Sequence, residues 1–337
     1  MSSAPTPQEI WSDARWVAQA VDPIAGLVRV VEMSAEDYRD ASFLDDRIIE
    51  PSRRAHLLEW SDVAGAMPAS ARSDARWIFH IGHVGSTLIS RLLGELDLVL
   101  AVREPRALRD LTFFPVDIRG QFVPTLRALM SRTFDAGTTA VVKATSMVSE
   151  IASELNGPRG RALFLYVSPS TYLQTILAGG QSQADLQRLS DYYSARALSQ
   201  EIALGGPTQG AAEVAALVWA CEMTALGAAA ESTKGKVLWQ DFDGFLKAPE
   251  ASLNSIARFF GLSAEESRVT EIARGPLMGR YSKALAHEFG PKARRALLER
   301  AAVEHGPKIQ SALARLREAA ENDPALASAI HRSAPGL

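Results

Sequence analysis

The stretch Phe79-His80-Ile81-Gly82-His83-Val84-Gly85-Ser86-Thr87-Leu88 constrains this chain more than any other. A β-type run, Trp77-Ile78-Phe79, leads into a glycine turn with two hydroxyls, and an amphipathic pattern over Leu88 to Leu96 predicts a helix after it. Strand, glycine loop and helix in that order make an anion cradle. Glycines let backbone N–H groups turn toward a negative charge, and the helix N-terminus adds its positive dipole end. A nucleotide-hydrolysing loop of the form G-x-x-x-x-G-K-[ST] also carries a lysine for the β/γ-phosphates. Here Ser86-Thr87 follows the second glycine and the lysine is missing. The loop is built for an anion, without the usual equipment for ATP.

The rest of the chain alternates apolar runs with helical patterns. After the glycine loop come Leu98-Val99-Leu100-Ala101, Ala140-Val141-Val142-Lys143, Ala162 through Val167, and Lys236-Val237-Leu238-Trp239. Five short apolar strands separated by helices predict an α/β fold: a three-layer, P-loop-type parallel sheet of about five strands flanked by helices. Residues 1–75 read as a mainly helical N-terminal extension packed on the core. It carries a helix over Gln8 to Val21, one β-like run from Leu27 to Glu32, and helical patterns to about Met67. The polar, small-residue stretch Pro68 to Arg76 marks the boundary. The α/β domain then spans 76–322, with helices from Pro249 onward, the last over His305 to Ala319. Residues 323–337, after Asp323-Pro324, read as a tail.

Bulk properties exclude several classes. The 337 residues are 47% hydrophobic and 22% charged, with a formal net charge of −3, so nothing points to a nucleic acid or a membrane surface as partner. No apolar run is expected to approach the ~20 residues of a membrane span. The N-terminus lacks the pattern of a signal peptide, and a cytoplasmic location is expected. The single cysteine, Cys221, lies in an apolar helical run and reads as a buried, inert thiol. His56, His287, His305 and His331 fit helical faces, His80 fits the strand, and none has metal-ligand spacing, so no metal is expected. Trp11, Trp16, Trp60 and Trp219 read as packing residues on helices.

Ligands in parallel α/β sheets bind at the carboxyl ends of the strands. There the sequence places His83, Ser86 and Thr87, then Arg103-Glu104-Pro105-Arg106 with Arg109, then Lys143-Ala144-Thr145-Ser146, then Ser168 with Thr175 beyond it, and finally Gln240-Asp241. A basic, hydroxyl-rich rim with one placed carboxylate suits transfer of an anionic group, which depends on positioning and charge stabilisation. Arg103, Arg106 and Arg109 read mostly as a solvated helix face.

This ordered set resembles the sulfotransferase family that uses 3′-phosphoadenosine 5′-phosphosulfate. Gly82-His83-Val84-Gly85-Ser86-Thr87 is similar to that family's phosphosulfate loop. Glu104 stands where the protein-tyrosine sulfotransferases have their general base, and Lys143 ends its strand as the family's transition-state lysine does. Thr175 is placed like a serine contacting the 3′-phosphate. Phe259-Phe260-Gly261-Leu262 resembles the family's "Phe-Leu-Gly-Leu" helix end, and Gly279-Arg280-Tyr281-Ser282-Lys283 its late loop over the co-substrate. The resemblance spans roughly residues 76 to 285. It implies transfer of a sulfuryl group from 3′-phosphoadenosine 5′-phosphosulfate to a hydroxyl or phenol of a small molecule or peptide. Glu104 would be base, Lys143 and His83 would stabilise the transferring group, and Gly82 to Thr87, Thr175, Arg280, Ser282 and Lys283 would hold the donor. The chain departs from the family at His83, where a Lys or Arg is usual, and at Val167, where the 3′-phosphate arginine is expected. A phosphotransferase using ATP, with Asp241 holding Mg²⁺, and a non-catalytic nucleotide-binding relative are the alternatives. The acceptor is not legible. Its pocket would come from variable helices and loops, here the N-terminal ~70 residues and the segment Gln181 to Gln209, which carries Tyr192, Tyr193 and Arg196; the helical patterns around Gln181 to Arg196 read equally as a lid or as the contact of a homodimer.

Overall fold

A computed structural model describes residues 3–206, 210–280 and 290–334. The chain begins with α1 (Pro7–Ser12), β1 (Trp16–Asp22), β2 (Leu27–Glu32), α2 (Ala35–Asp40), β3 (Ala55–Glu59) and α3 (Trp60–Gly65). The α/β part follows as β4 (Arg76–His80), α4 (Ser86–Gly94), β5 (Val99–Arg103), α5 (Arg106–Asp110), α6 (Val116–Leu129) and β6 (Thr139–Lys143). It continues through α7 (Ala152–Asn156), β7 (Arg161–Tyr166), α8 (Pro169–Leu177), α9 (Gly180–Arg188), α10 (Ser190–Ser199), α11 (Ala211–Ser232) and β8 (Lys236–Asp241). Helices α12 (Phe242–Lys247), α13 (Pro249–Phe260), α14 (Glu266–Arg274), α15 (Pro291–Glu304), α16 (Gly306–Ala320) and α17 (Pro324–Ser333) complete it.

The predicted five-strand sheet is present, all parallel, in the order β5-β6-β4-β7-β8. Its strands are apolar on both faces because helices flank the sheet: Trp77, Ile78, Phe79, Val141, Val142, Leu163 and Phe164 are all buried. Strand β4 lies between β6 and β7, with Ile78 opposite Lys143 on one side and Leu163 on the other. The chain moves outward to β5 and β6 and then crosses to β7 and β8. The loop after β4 therefore opens at the point where strand order reverses, where such sheets bind ligands. Gly261, at φ 68°, ends α13 in the left-handed conformation, as the Phe-Phe-Gly-Leu pattern implies.

The N-terminal reading needs correcting. The expected helix over Gln8 to Val21 stops at Ser12, and Trp16–Asp22 forms the first strand of a three-stranded antiparallel sheet, β1-β2-β3. His56 and Trp16 accordingly lie on strands and meet edge to face at 5.7 Å. The run Val17-Ala18-Gln19-Ala20-Val21 is buried throughout, so it lacks the alternation of a half-exposed strand, and a short buried run has no period that separates strand from helix. Gln19, the polar residue within it, accepts from Arg29 Nε at 2.7 Å.

Two further readings change. Residues 324–333, expected as tail, form α17, whose Leu326 and Ala329 are buried beside α11. Asp323-Pro324 is a helix start, with the aspartate accepting the N–H groups of Ala325 and Leu326 and proline at the first helical position. Helix α11 is also, by length and composition, apolar enough to cross a membrane, with 78% of its apolar window buried inside the fold.

Helix α11 carries a fully buried carboxylate, Glu222. It accepts from Arg196 Nη1 at 2.7 Å and Tyr193 OH at 2.8 Å, both on α10, and from Ser149 Oγ in the 3₁₀ turn after β6. Burial pushes this carboxyl up from its ordinary value against the pull of Arg196. The network pins α10 and α11 to the turn beyond β6. Removing one member strands a buried charge, so Glu222→Ala is expected to cost about 3 kcal/mol or more in urea unfolding. The paired change E222L/R196M should recover most of that loss. A single-variant loss under about 1 kcal/mol contradicts the assignment.

Candidate active site

Strand β4 delivers His80 and Ile81 to the edge of the sheet, and the chain then turns through positive φ at Gly82 (83°), His83 (53°) and Gly85 (69°) before α4 begins at Ser86. Two glycines supply that backbone without Cβ strain. Gly85 is also sterically required, since a Cβ there would overlap the Phe242 ring at the start of α12. His80, read from sequence as a plain strand residue, shapes the turn: its Nδ1 accepts the Gly82 N–H at 3.0 Å, which leaves the ring proton on Nε2.

The helix end is anion-ready. Ile89 N–H donates to Gly85 O at 3.1 Å, so the N–H groups of Ser86, Thr87 and Leu88 precede the first intrahelical bond. The hydroxyl of Thr87 is buried and has no hydrogen-bond partner among the described residues. A buried hydroxyl without a partner costs about 1–3 kcal/mol, and a phosphate oxygen at the helix start would satisfy it. His83 projects from the turn toward α9, with Nδ1 3.4 Å from Ser182 Oγ. The loop residues thus suit the phosphate end of an anionic donor.

Next to the loop strand, β5 and β6 run in register with Arg103 opposite Lys143. Glu104 follows at φ 52° and donates its N–H to Lys143 O at 2.7 Å. A non-glycine residue held there carries backbone strain of order 1–3 kcal/mol, sustained only where the surroundings fix it. The Glu104 carboxylate and the Lys143 ammonium form a close ion pair. The Lys143 side chain is 1% exposed and that of Glu104 13%, so the pair meets solvent through the carboxylate. The two strand-end residues singled out from sequence as base and transition-state lysine are therefore in contact.

The remaining candidates are spread out. Thr175 lies on α8 and donates its hydroxyl proton to Thr171 O at 2.7 Å; among the described residues no hydrogen bond links it to the loop. Arg280 is exposed, just after a 3₁₀ turn, Pro276–Gly279, that packs on α4. Ser282 and Lys283 lie outside the described residues. Asp241 is a helix cap, accepting the N–H groups of Asp243 and Gly244 at 3.2 and 2.9 Å, and burial pushes its carboxyl up from the ordinary value.

Sequence reasoning missed two groups. Arg103 is 2% exposed and donates to the carbonyls of Tyr38, Arg39 and Ala41, so it is no solvated helix residue. Arg106 does sit at the surface, paired with Asp46 and Asp110. Arg294, on α15, places its guanidinium 5.3 Å from the Phe242 ring and donates to Asp243 Oδ1 at 2.7 Å. Its Nη2 is buried with no hydrogen-bond partner among the described residues. Asp243 in turn accepts from Thr171 Oγ1 at 3.0 Å. Neither group has a local motif that would have flagged it.

No protein-family model and no curated protein sequence gives a significant match to the chain. Among solved structures it is similar to a sulfotransferase domain from the curacin biosynthetic pathway, at 12% identity and a TM-score of 0.40. That similarity covers 70% of this chain and 99% of the other.

The loop geometry makes one stability prediction. Gly85→Ala combines a left-handed φ with displacement of the Phe242 ring, and should lower stability by about 2 kcal/mol or more in urea unfolding. An unchanged midpoint contradicts the packing described.

Proposed function

We propose that this protein is a sulfotransferase that moves a sulfuryl group from 3′-phosphoadenosine 5′-phosphosulfate to an acceptor hydroxyl. The observation that carries the reading is the Glu104–Lys143 pair, set at the edge of the same sheet as a glycine loop that has no lysine of its own. Bound at the loop, the donor supplies an activated sulfuryl group. The N–H groups of Ser86 to Leu88 and the Thr87 hydroxyl hold its 5′-phosphate. Glu104 takes the proton of the acceptor hydroxyl as the new oxygen–sulfur bond forms and the bond from sulfur to the bridging phosphate oxygen breaks. Lys143, buried and preorganised, turns part of its charge from Glu104 to that bridging oxygen, and His83 hydrogen-bonds the same region. Arg294 supplies a fixed cation near the loop's aromatic cover and is our candidate for the donor's second phosphate, a role for which Val167 offers no charge.

An ATP-dependent phosphotransferase is the second reading, favoured by the strand–loop–helix frame alone. It lacks support in two places: the loop has no lysine for the β/γ-phosphates, and the Asp241 carboxylate is engaged as a helix cap.

Thermal unfolding separates the two. Saturating 3′-phosphoadenosine 5′-phosphate should raise the melting temperature by several degrees, since ligand at 100 times its Kd adds about 2.7 kcal/mol, while ATP with Mg²⁺ should not. A shift with ATP–Mg²⁺ and none with the bisphosphate reverses the assignment. His83→Ala should weaken bisphosphate binding roughly tenfold by calorimetry, the loss of about one charge-assisted hydrogen bond. Unchanged affinity removes His83 from the site.

A further inference from the structure

The segment between α2 and β3 crosses the same edge of the sheet as the Glu104–Lys143 pair, and two buried arginines hold it there. Arg103 donates to the carbonyls of Tyr38 and Ala41, both at 2.8 Å. Arg91, from α4, donates to Asp40 O at 3.1 Å and Ser42 Oγ at 2.8 Å. Leu44 N–H completes the attachment by donating to Arg103 O at 2.7 Å. Both guanidiniums are desolvated, and burial pushes Arg103 down to about 9 from its ordinary value. Surface connections are normally mobile, so committing two buried cations to the carbonyls of this one fixes it where it lies.

What it fixes is an aromatic ring beside the reacting groups. Phe43 is half-buried, and the Lys143 ammonium lies 5.4 Å from its centroid. Arg47 stacks on the ring at 3.5 Å and is itself held by Asp45 through paired hydrogen bonds. The ring therefore shields the buried lysine from water, while Glu104 stays partly open. A second aromatic pair lies beyond strands of the same edge: Phe113, 59% exposed in the turn after α5, meets Tyr192 of α10 at 5.7 Å. We propose that residues 42–47 form the acceptor-side wall of the site, and that Phe43 is a specificity residue for an acceptor whose hydroxyl is carried on a flat, apolar ring. The inference rests on the sulfotransferase reading and adds to it the N-terminal unit as part of the site. Arg91 and Arg103 are then positioning residues that act through the segment they hold.

The test uses the full chain, with 2-naphthol and the non-aromatic cyclohexylmethanol titrated by calorimetry, each with and without 3′-phosphoadenosine 5′-phosphate. The wild-type protein is expected to bind 2-naphthol more tightly than the aliphatic alcohol. Phe43→Ala should weaken 2-naphthol roughly five- to tenfold, as expected for one lost aromatic contact, and Phe43→Tyr should stay within about twofold of wild type. Both variants should keep the wild-type thermal shift with the bisphosphate, which excludes misfolding as the cause. Equal affinity for the two alcohols, no binding of 2-naphthol, or an unaltered Kd in Phe43→Ala overturns the proposal. Failure of the bisphosphate to shift the wild-type protein instead counts against the sulfotransferase reading, whatever the naphthol titrations give.

Discussion

The contact between Glu104 and Lys143 organises the site, and the parallel pairing of β5 and β6 makes it unavoidable. Arg103 stands opposite Lys143 in the ladder, so the next residue of β5 must emerge beside the end of β6. The Glu104 N–H closes onto the Lys143 carbonyl, and the strained φ of Glu104 turns its carboxylate back onto the ammonium. Because β6 also borders β4, with Lys143 opposite Ile78, the same lysine reaches the strand that carries the glycine loop. One register thus places a carboxylate and a cation at the end of the strand next to the one that carries the glycine loop. The Lys143 side chain is only 1% exposed, so an anion arriving at the loop would compete for it with Glu104 in a medium where charge interactions are strong.

The N-terminal unit is more than a covering. Its own antiparallel sheet keeps Trp16, Val17, Val28 and Val30 in the common core, and the chain leaving α2 is drawn onto the end of β5 by hydrogen bonds from the guanidinium groups of Arg91 and Arg103. These arginines have carbonyl partners where a carboxylate would be usual. Their charge is spread over several peptide dipoles, which fixes the path of a loop, although Arg103 Nε is buried with no hydrogen-bond partner among the described residues. On the opposite flank, Glu222, Arg196, Tyr193 and Ser149 tie α10 and α11 to the turn beyond Lys143. The segments on both sides of the Glu104–Lys143 pair are therefore held by desolvated charged groups.

The sheet, the loop and the two strand-end residues were legible because each is encoded locally. Buried parallel strands are continuous apolar runs, glycines mark the turn, and a charged residue closing an apolar run has only the sheet edge to occupy. The N-terminal sheet was not legible: Val17 to Val21 is buried on both faces and carries neither helical nor strand periodicity. Helix α17 was misread because Asp323-Pro324 signals a stop and a start equally well. Arg103, Arg294 and Phe43 were missed for a different reason. Their partners are distant in sequence, Arg103 reaching Tyr38 across 65 positions and Arg294 reaching Asp243 across 51, and no local spacing encodes such a contact. Thr175 was singled out by the family resemblance alone, and its hydroxyl proton is given to the Thr171 carbonyl one turn back.

The central claim is that Glu104 removes the acceptor proton while Lys143 and the loop hold the departing phosphate. It is tested most directly by following sulfur-35 from labelled 3′-phosphoadenosine 5′-phosphosulfate into 2-naphthol, for the wild-type protein and Glu104→Gln under single-turnover conditions. The account predicts labelled naphthyl sulfate from the wild type and a rate lower by roughly 10²–10⁴ in the variant, with the donor still bound. Label transfer at the same rate in Glu104→Gln would contradict it.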